Sequence, residues 1–342
     1  MIKFTGKDWT VTLAIMSLSF IWEQALYGAS KTSSASFLEV PVSAESIALG
    51  GNAVALGNGI GSVTENPAGL GFMRQNELQT SYGPYLGNYS FFNAAYGHRS
   101  PLMNAGLSLT RIAASDFEGR DEQGSPTSSF SAQDMAVSLS AAKTLANLSV
   151  GMNLKFISSR IADESASAMA VDAGVVLLGD RRAAYPYKLG FSIRNLGTPM
   201  KYMNTSEPLP LTASAALAVT VAESMEAGLN VSNNLIDNSF EFGVGMGFSL
   251  AENLSLTGGL SRGLGSSASS SSDSLPFRLN AGLGLKMSDF MLNYGFIPMG
   301  ELGNIQRMSL TFKFGTDNPV RSGWKPSKNA RIYKGMAWNW QK

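Results

Sequence analysis

His98 is the one histidine in 342 residues, and the chain has no cysteine. A Ser-His-Asp relay would have to run through that single imidazole. His98 stands beside Arg99 at the end of an alternating apolar stretch, and no nucleophile–base pair can be named with it. That position suits an interface side chain better than a general base. Four carboxylates, Asp116, Glu118, Asp121 and Glu122, share one polar stretch. They could hold calcium weakly, but a solvated acidic loop is the simpler reading. Thiolate metal sites are excluded, and no other Asp/Glu/His group has the spacing of a ligand set. The glycine-rich run Gly57-Asn58-Gly59-Ile60-Gly61 has no Lys-Ser/Thr after it and is no phosphate loop. The reading is a protein that is not an enzyme and uses no metal or cofactor. A lipase or protease would need a nucleophile paired with a base, and the sequence offers no such pair.

Whatever the chain does must therefore come from its architecture. Net charge is +1, which gives no reason to expect nucleic acid as a partner. Charged residues make up 15% of the chain, against about 25% in ordinary soluble domains. Glycine is abundant, at 36 residues. Yet no internal run reaches the ~18 apolar residues that a membrane helix needs. Two classes remain: an unusually apolar soluble β protein, or a membrane β-barrel.

The first 30 residues carry Lys3 and Lys7, then the apolar run Val11 to Trp22, then Gly28-Ala29-Ser30. Basic, apolar and small-residue regions in that order read as an export signal over 1–30. Asp8 and the tryptophans depart from the pattern, and a surface or buried helix is the alternative. Residues 38–73 differ in texture from everything after them. Ser43 with Glu45 predicts the start of a short helix, Gly50-Gly51 its stop, and Asn66-Pro67 a turn.

From Glu77 to Phe314 the period becomes two. In Phe240 to Leu250 every even position is Phe, Val, Met or Leu, and every odd one Glu, Gly or Ser. Leu148 to Phe156, Phe277 to Lys286 and Met308 to Phe314 repeat the pattern. Successive side chains on a strand point to opposite faces, so this alternation predicts strands. About fourteen are expected, near 76–83, 88–97, 103–113, 133–143, 147–160, 167–178, 186–195, 210–221, 225–234, 239–250, 254–262, 276–286, 289–296 and 305–314. Many have the length of about ten residues that a tilted strand needs to cross a bilayer. Connections at 222–224, 251–253 and 288–289 are tight, whereas 114–132, 161–166, 197–210 and 263–275 read as long polar loops. The serine run within 265–274 is a loop tip with no chemistry implied.

One face of these strands gathers Asn153, Lys155, Asp172, Lys188, Arg194, Glu226, Glu241, Arg278, Lys286, Arg307 and Lys313; the other is nearly free of charge. Periodicity alone does not separate a sandwich, whose polar face meets water, from a barrel, whose polar face lines the lumen. Strand length and number, the export signal and the loop asymmetry favour the barrel. So does the glycine on the polar face at Gly243, Gly245, Gly247, Gly282 and Gly284. Glycine weakens strands, and a glycine-rich wall makes sense where a plug or passenger fits close. Tyr82, Tyr85, Tyr89, Tyr96, Tyr185, Tyr187, Tyr202 and Tyr294 fit interface girdles, or plain strand propensity.

Two stretches resemble a known family. Within Val42 to Gly71, Leu49-Gly50-Gly51 and Asn66-Pro67-Ala68-Gly69-Leu70 resemble the start of the PorV/PorQ family, itself similar to FadL-type barrels. Asp116 to Thr127, Phe130 to Asp134 and Leu154 to Ile157 resemble its third loop and following hairpin. The resemblance covers about 37–314. It implies an all-β, up-and-down antiparallel transmembrane barrel of fourteen strands, in the outer membrane of a Gram-negative-type bacterium. The division would be 1–30 signal peptide, 31–74 hatch, 75–314 barrel and 315–342 periplasmic tail. Leu49, Gly50, Gly51, Asn66, Pro67, Ala68 and Gly69 would form the gate. Asn153, Lys155, Asp172, Arg194, Glu241, Arg278, Arg307 and Lys313 would line the lumen. The implied function is a gated conduit or shuttle for hydrophobic small molecules, as in FadL-type members. The alternative is a shuttle or structural part of the type IX secretion system. Partners would be outer-membrane lipids, the barrel-assembly machinery and, by role, hydrophobic small molecules or secretion-system proteins. The tail departs from the family pattern: it follows Phe314 and carries Lys325, Lys328, Trp338 and Trp340, suited to lipid headgroups or a periplasmic partner, or simply solvated.

Overall fold

The computed structural model describes residues 32–317, apart from 52, 58, 122, 181–182, 204, 266–276 and 300–302. The signal over 1–30, the serine run and the tail from 318 onward lie outside the described residues.

Sixteen strands follow the N-terminal segment: β1 (Asn76–Pro84), β2 (Ser90–His98), β3 (Asn104–Phe117), β4 (Phe130–Leu145), β5 (Leu148–Ile161), β6 (Glu164–Leu178), β7 (Tyr187–Gly197), β8 (Met200–Tyr202), β9 (Thr205–Glu207), β10 (Thr212–Ala222), β11 (Met225–Asn234), β12 (Ser239–Ala251), β13 (Leu254–Gly265), β14 (Arg278–Met287), β15 (Phe290–Pro298) and β16 (Asn304–Phe314). Fourteen of them close into one antiparallel barrel; β8 and β9 form a separate hairpin in the loop between β7 and β10. Closure comes where β1 meets β16, with Asn76 opposite Phe314 and Tyr82 opposite Met308.

The direction of the side chains settles which face is dry. On β1, Glu77, Gln79 and Ser81 are buried, while Leu78 and Tyr82 are 45% and 60% exposed. On β12, Gly243, Gly245 and Gly247 are buried, and Val244, Met246 and Phe248 point outward. A soluble sandwich would cover those apolar side chains. Here they form an exposed belt around a closed sheet, and the polar and small residues are enclosed. Among the described residues no helix is long and apolar enough to cross a membrane. Stacked rings run along one rim: Phe290 on Phe312 at 4.7 Å, Phe312 on Phe314 at 5.3 Å and Tyr96 on Phe314 at 6.4 Å.

Two expectations need correcting. The stretch 161–166 is no long loop: β6 begins at Glu164, and Ala162, at φ 52°, turns the chain within two residues. Polar residues there continue the β5–β6 hairpin, which is paired to its tip and extends past β7, so polarity alone does not mark a loop. The second concerns the tyrosines. Tyr82, Tyr96, Tyr185 and Tyr294 are exposed, but Tyr85, Tyr89 and Tyr202 pack against an apolar cluster inside the barrel.

Leu154 lies midway along β5 and points outward. Leu154→Arg is expected to cost about 2–4 kcal/mol of folding stability in phospholipid vesicles, the cost of an arginine near the bilayer midplane. Denaturant titration in vesicles measures it; a cost near zero would place this face in water.

Candidate functional site

Within 33–73 the N-terminal segment packs against the inward-facing side of the barrel wall. Its first described residues, at Ser33, bond Asp237 in the β11–β12 turn at 2.6 and 2.7 Å. Its last lie at the opposite rim, where Met73 meets the β2 glycine Gly97. Between them the chain makes one-turn helices. Ser43 caps Ala44–Ala48 by accepting from the Ser46 N–H at 3.0 Å. Gly50 and Gly51, at φ 64° and 85°, turn the chain out of that helix through backbone angles that L side chains resist. Asn66 caps the 3-10 turn Pro67–Phe72, accepting from the Ala68 N–H at 3.0 Å. Its amide also donates to the carbonyls of Val54 (2.8 Å) and, on the wall, Val175 (3.2 Å). Leu49, Gly50, Asn66, Pro67, Ala68 and Gly69 are all buried against the wall, and Gly51 is partly covered.

One-turn helices leave most of their carbonyls without partners. The wall supplies the donors. Asn104 donates to Leu70 O at 2.8 Å, Ser149 to Ala68 O at 2.7 Å, Asn153 to Val63 O at 2.7 Å and Asn280 to Ile47 O at 3.0 Å. The wall also supplies room. A Cβ at Gly151 would fall on the Pro67 carbonyl, one at Gly190 on the Val54 carbonyl, and one at Gly259 within 2.8 Å of the Ala48 carbonyl oxygen. The inner-face glycines at these positions let two backbones touch.

The remaining polar wall residues fall into pairs. Lys155 bonds Asp172 at 2.7 Å and Asn195 at 2.8 Å, and Asp172 also accepts from Asn153 and from the Asn195 N–H, each at 2.8 Å. Lys313 lies 3.2 Å from Glu77, and Lys188 lies 3.5 Å from Glu226. Glu241 and Arg278, half exposed, face each other at 3.9 Å nearer the mouth. Arg194 reaches the Thr64 carbonyl at 3.3 Å. Arg307 is fully buried; its guanidinium lies 3.3 Å over the Phe91 ring and donates weakly to the carbonyls of Pro41 and Val42. Beside the segment, Glu45, Ser43, Glu77, Gln79 and Lys313 border a cavity of about 20 Å³, room for about one water.

One part of the lumen has the opposite character. Phe91, Ile112, Ala136, Ile157, Ala166, Ala168 and Ala170, on five adjacent strands from β2 to β6, point inward at the level of the long loops. Met200 and Leu209 join them from the β7–β10 loop, and Phe37 of the N-terminal segment is buried in the same cluster. This apolar platform was not anticipated. Its trace in the sequence is local: Phe91 is followed by Phe92, so both faces are apolar there, and Ile112 and Ile157 interrupt otherwise polar or small parity.

No protein-family model matches the chain, and no curated protein matches it. The PorV/PorQ resemblance therefore rests on the residues that carry it. Solved structures do share the fold. CymD, a monoaromatic hydrocarbon channel, aligns at TM-score 0.58 with 12% identity over 82% of this chain and 99% of its own. The toluene transporter TodX of Pseudomonas putida aligns at 0.55 and 11%, over 79% and 96%. A FadL homologue from Pseudomonas aeruginosa aligns at 0.54 and 11%, over 81% and 99%. At these identities the likeness establishes the architecture alone, a closed fourteen-stranded barrel.

Gly151→Val should unseat the segment around Pro67 without opening the barrel. The expected result is fast amide exchange over 60–73 by mass spectrometry, with the heat-modifiable gel mobility of the folded barrel retained.

Proposed function

We propose that the chain is an outer-membrane conduit for hydrophobic small molecules, closed in this structure by its own N-terminal segment. The observation that carries the reading is Phe37 seated on the inward-facing apolar platform. An enclosed apolar surface with a few polar groups at its edge is what a small apolar ligand needs; elsewhere the inner wall is mostly polar or small, with Val176, Ile297 and Ile305 as smaller apolar patches under the segment. In the proposed cycle the ligand enters from the long-loop end and takes the place of Phe37. It then passes when Leu49-Gly50-Gly51 and Asn66-Pro67-Ala68-Gly69 shift as the gate. Asn153, Lys155, Asp172, Arg194, Arg307 and Lys313 would hold the closed gate, with Glu241 and Arg278 nearer the mouth. The solved barrels that share the fold and are named as hydrocarbon or toluene channels support this reading. The outer membrane is the location that a closed fourteen-strand barrel with an apolar belt fits.

A second reading, a secretion-system component that binds proteins, draws on the resemblance around 116–134, where the residues described between 118 and 131 are mostly exposed. The filled lumen argues against a protein passing through it. Purification from native membrane separates the two: extracted apolar small molecules at near one per barrel favour the conduit, and a stoichiometric protein favours the second reading. Deleting 38–73 is expected to raise solute leak in liposomes by about tenfold or more, as expected of an unplugged wide barrel. Unchanged leak would remove the segment from the gating role.

A further inference from the structure

The carboxylates inside the barrel differ in their partners. Three wall carboxylates each have a wall lysine: Asp172 with Lys155, Glu77 with Lys313 and Glu226 with Lys188. Among the described residues, the two carboxylates of the N-terminal segment within 43–73 have no cation at ion-pair distance. Glu65 is 6% exposed; its Oε1 accepts from Ser46 Oγ at 2.7 Å, the Val42 N–H also faces its carboxyl, and its Oε2 has no well-formed hydrogen bond. Glu45, one residue before Ser46 and only partly buried, borders the small cavity at the seam between the segment and β1, β15 and β16.

The lysines nearby and Arg278 already face wall carboxylates, and Arg194 and Arg307 are turned to carbonyls of the segment. The helix Ala44–Ala48 packs on β13 to β16. The inward charges there are Lys313, held by Glu77; Arg307, turned to the Pro41 and Val42 carbonyls; Arg278, turned to Glu241; and Lys286 at the rim. Across the lumen Glu45 faces Lys188 and Glu226. Glu65 faces Arg194, whose guanidinium bonds the Thr64 carbonyl, and Lys155, which bonds Asp172. An ionised carboxylate placed here would have to be stabilised at a distance, across occupied partners.

We propose that Glu45 and Glu65 are a carboxylic-acid latch: protonated, they keep residues 43–73 seated, and their ionisation releases the segment, making the closure sensitive to pH. Burial pushes the Glu45 carboxyl up to about 8, opposed by Lys313, and pushes Glu65 upward too, opposed by its Ser46 hydrogen bond. In the released state both would be solvated, with ordinary carboxylate values. The seated state therefore binds more protons than the released one. Its stability is greatest below the ordinary carboxylate range, falls as pH rises toward about 8, and is lowest above that. Within that window each unit of pH shifts the seated-to-released ratio by up to about tenfold per carboxylate.

The inference rests on the segment being the closure and not on which ligand passes. Two measurements on the full chain test it. In planar bilayers, conductance should rise about tenfold or more between about pH 5 and about pH 9, and the Glu45→Gln/Glu65→Gln double variant should stay low and flat. A flat wild type overturns the latch, and so does a double variant that keeps the rise. Should the variant fail to give a heat-modifiable barrel, wild-type amide exchange over 43–73, corrected for intrinsic pH dependence, decides instead. Faster exchange toward high pH supports the latch, and a constant corrected rate overturns it. Failure of the closure itself looks different: deletion of 38–73 would leave conductance unchanged at every pH.

Discussion

Inside a lipid bilayer no water is available to pair a backbone N–H or C=O, and the rest of this structure follows from that deficit. A sheet with a free edge would be untenable, so β1 closes on β16. Closing fourteen strands has a geometric consequence. Barrels of about eight strands can fill their interiors with side chains, and larger ones cannot. The residual space is taken by the chain's own N-terminal segment, whose short turns bring a new load of unpaired carbonyls. Asn104, Asn153, Asn280 and Ser149 on the wall meet that load. The polar inner face is thus mostly a set of hydrogen-bond partners for backbone, fitted to one particular plug.

The same reasoning explains how charge is distributed. A buried ion costs several kcal/mol unless it is paired and hydrogen-bonded. Lys155 and Asp172 meet that condition through Asn153 and Asn195. Three wall carboxylates are thus matched by wall lysines before the segment enters, whereas Arg194 and Arg307 take their partners from the segment's own carbonyls. Anything ionised that the segment brings must either remain neutral or weaken the seal. Glu65, held by Ser46 and the Val42 N–H but by no ion pair among the described residues, is the clearest case.

The barrel was legible in the sequence because alternation is a local property. Each strand announces its own two faces, and fourteen repeats leave little room for another fold. The helix at Ser43, its stop at Gly50-Gly51 and the cap at Asn66 were legible for the same reason: caps and turns are short-range chemistry. Which face met lipid was not local. It depended on closure, and only the exposure of Leu78, Val244 and Met246 decided it. The apolar platform was hidden more deeply. Phe91, Ile112 and Ile157 are ordinary strand residues, and they become a site only because five strands bring them to one level. Tyr85 and Tyr89 misled for a related reason. They flank the β1–β2 turn, where a girdle is expected, yet they turn into the lumen. Gly282 did signal the plug, lying against Ala48, whereas Gly284 only makes room for Ser255 and Asn293 of the neighbouring strands.

The identity of the platform's present occupant sets a condition on any visitor. Phe37 is tethered, so it competes at a high effective concentration, and burying a phenylalanine side chain is worth about 1.5–3 kcal/mol. A molecule with a single ring would only match what Phe37 already supplies. To displace it, a ligand must cover more of the platform than one ring does, or gain from groups that Phe37 leaves idle. The segment is also anchored away from Phe37, by Ser33 on Asp237 and by Asn234 on Glu39. Those bonds are part-buried and accepted by carboxylates, so they hold the start of the segment to the rim independently of Phe37. The asparagine-bonded turns below are held by a separate set of wall donors. Displacement would begin with Phe37 and leave the asparagine-bonded turns to move last, so occupancy of the platform and opening of the gate are separable events.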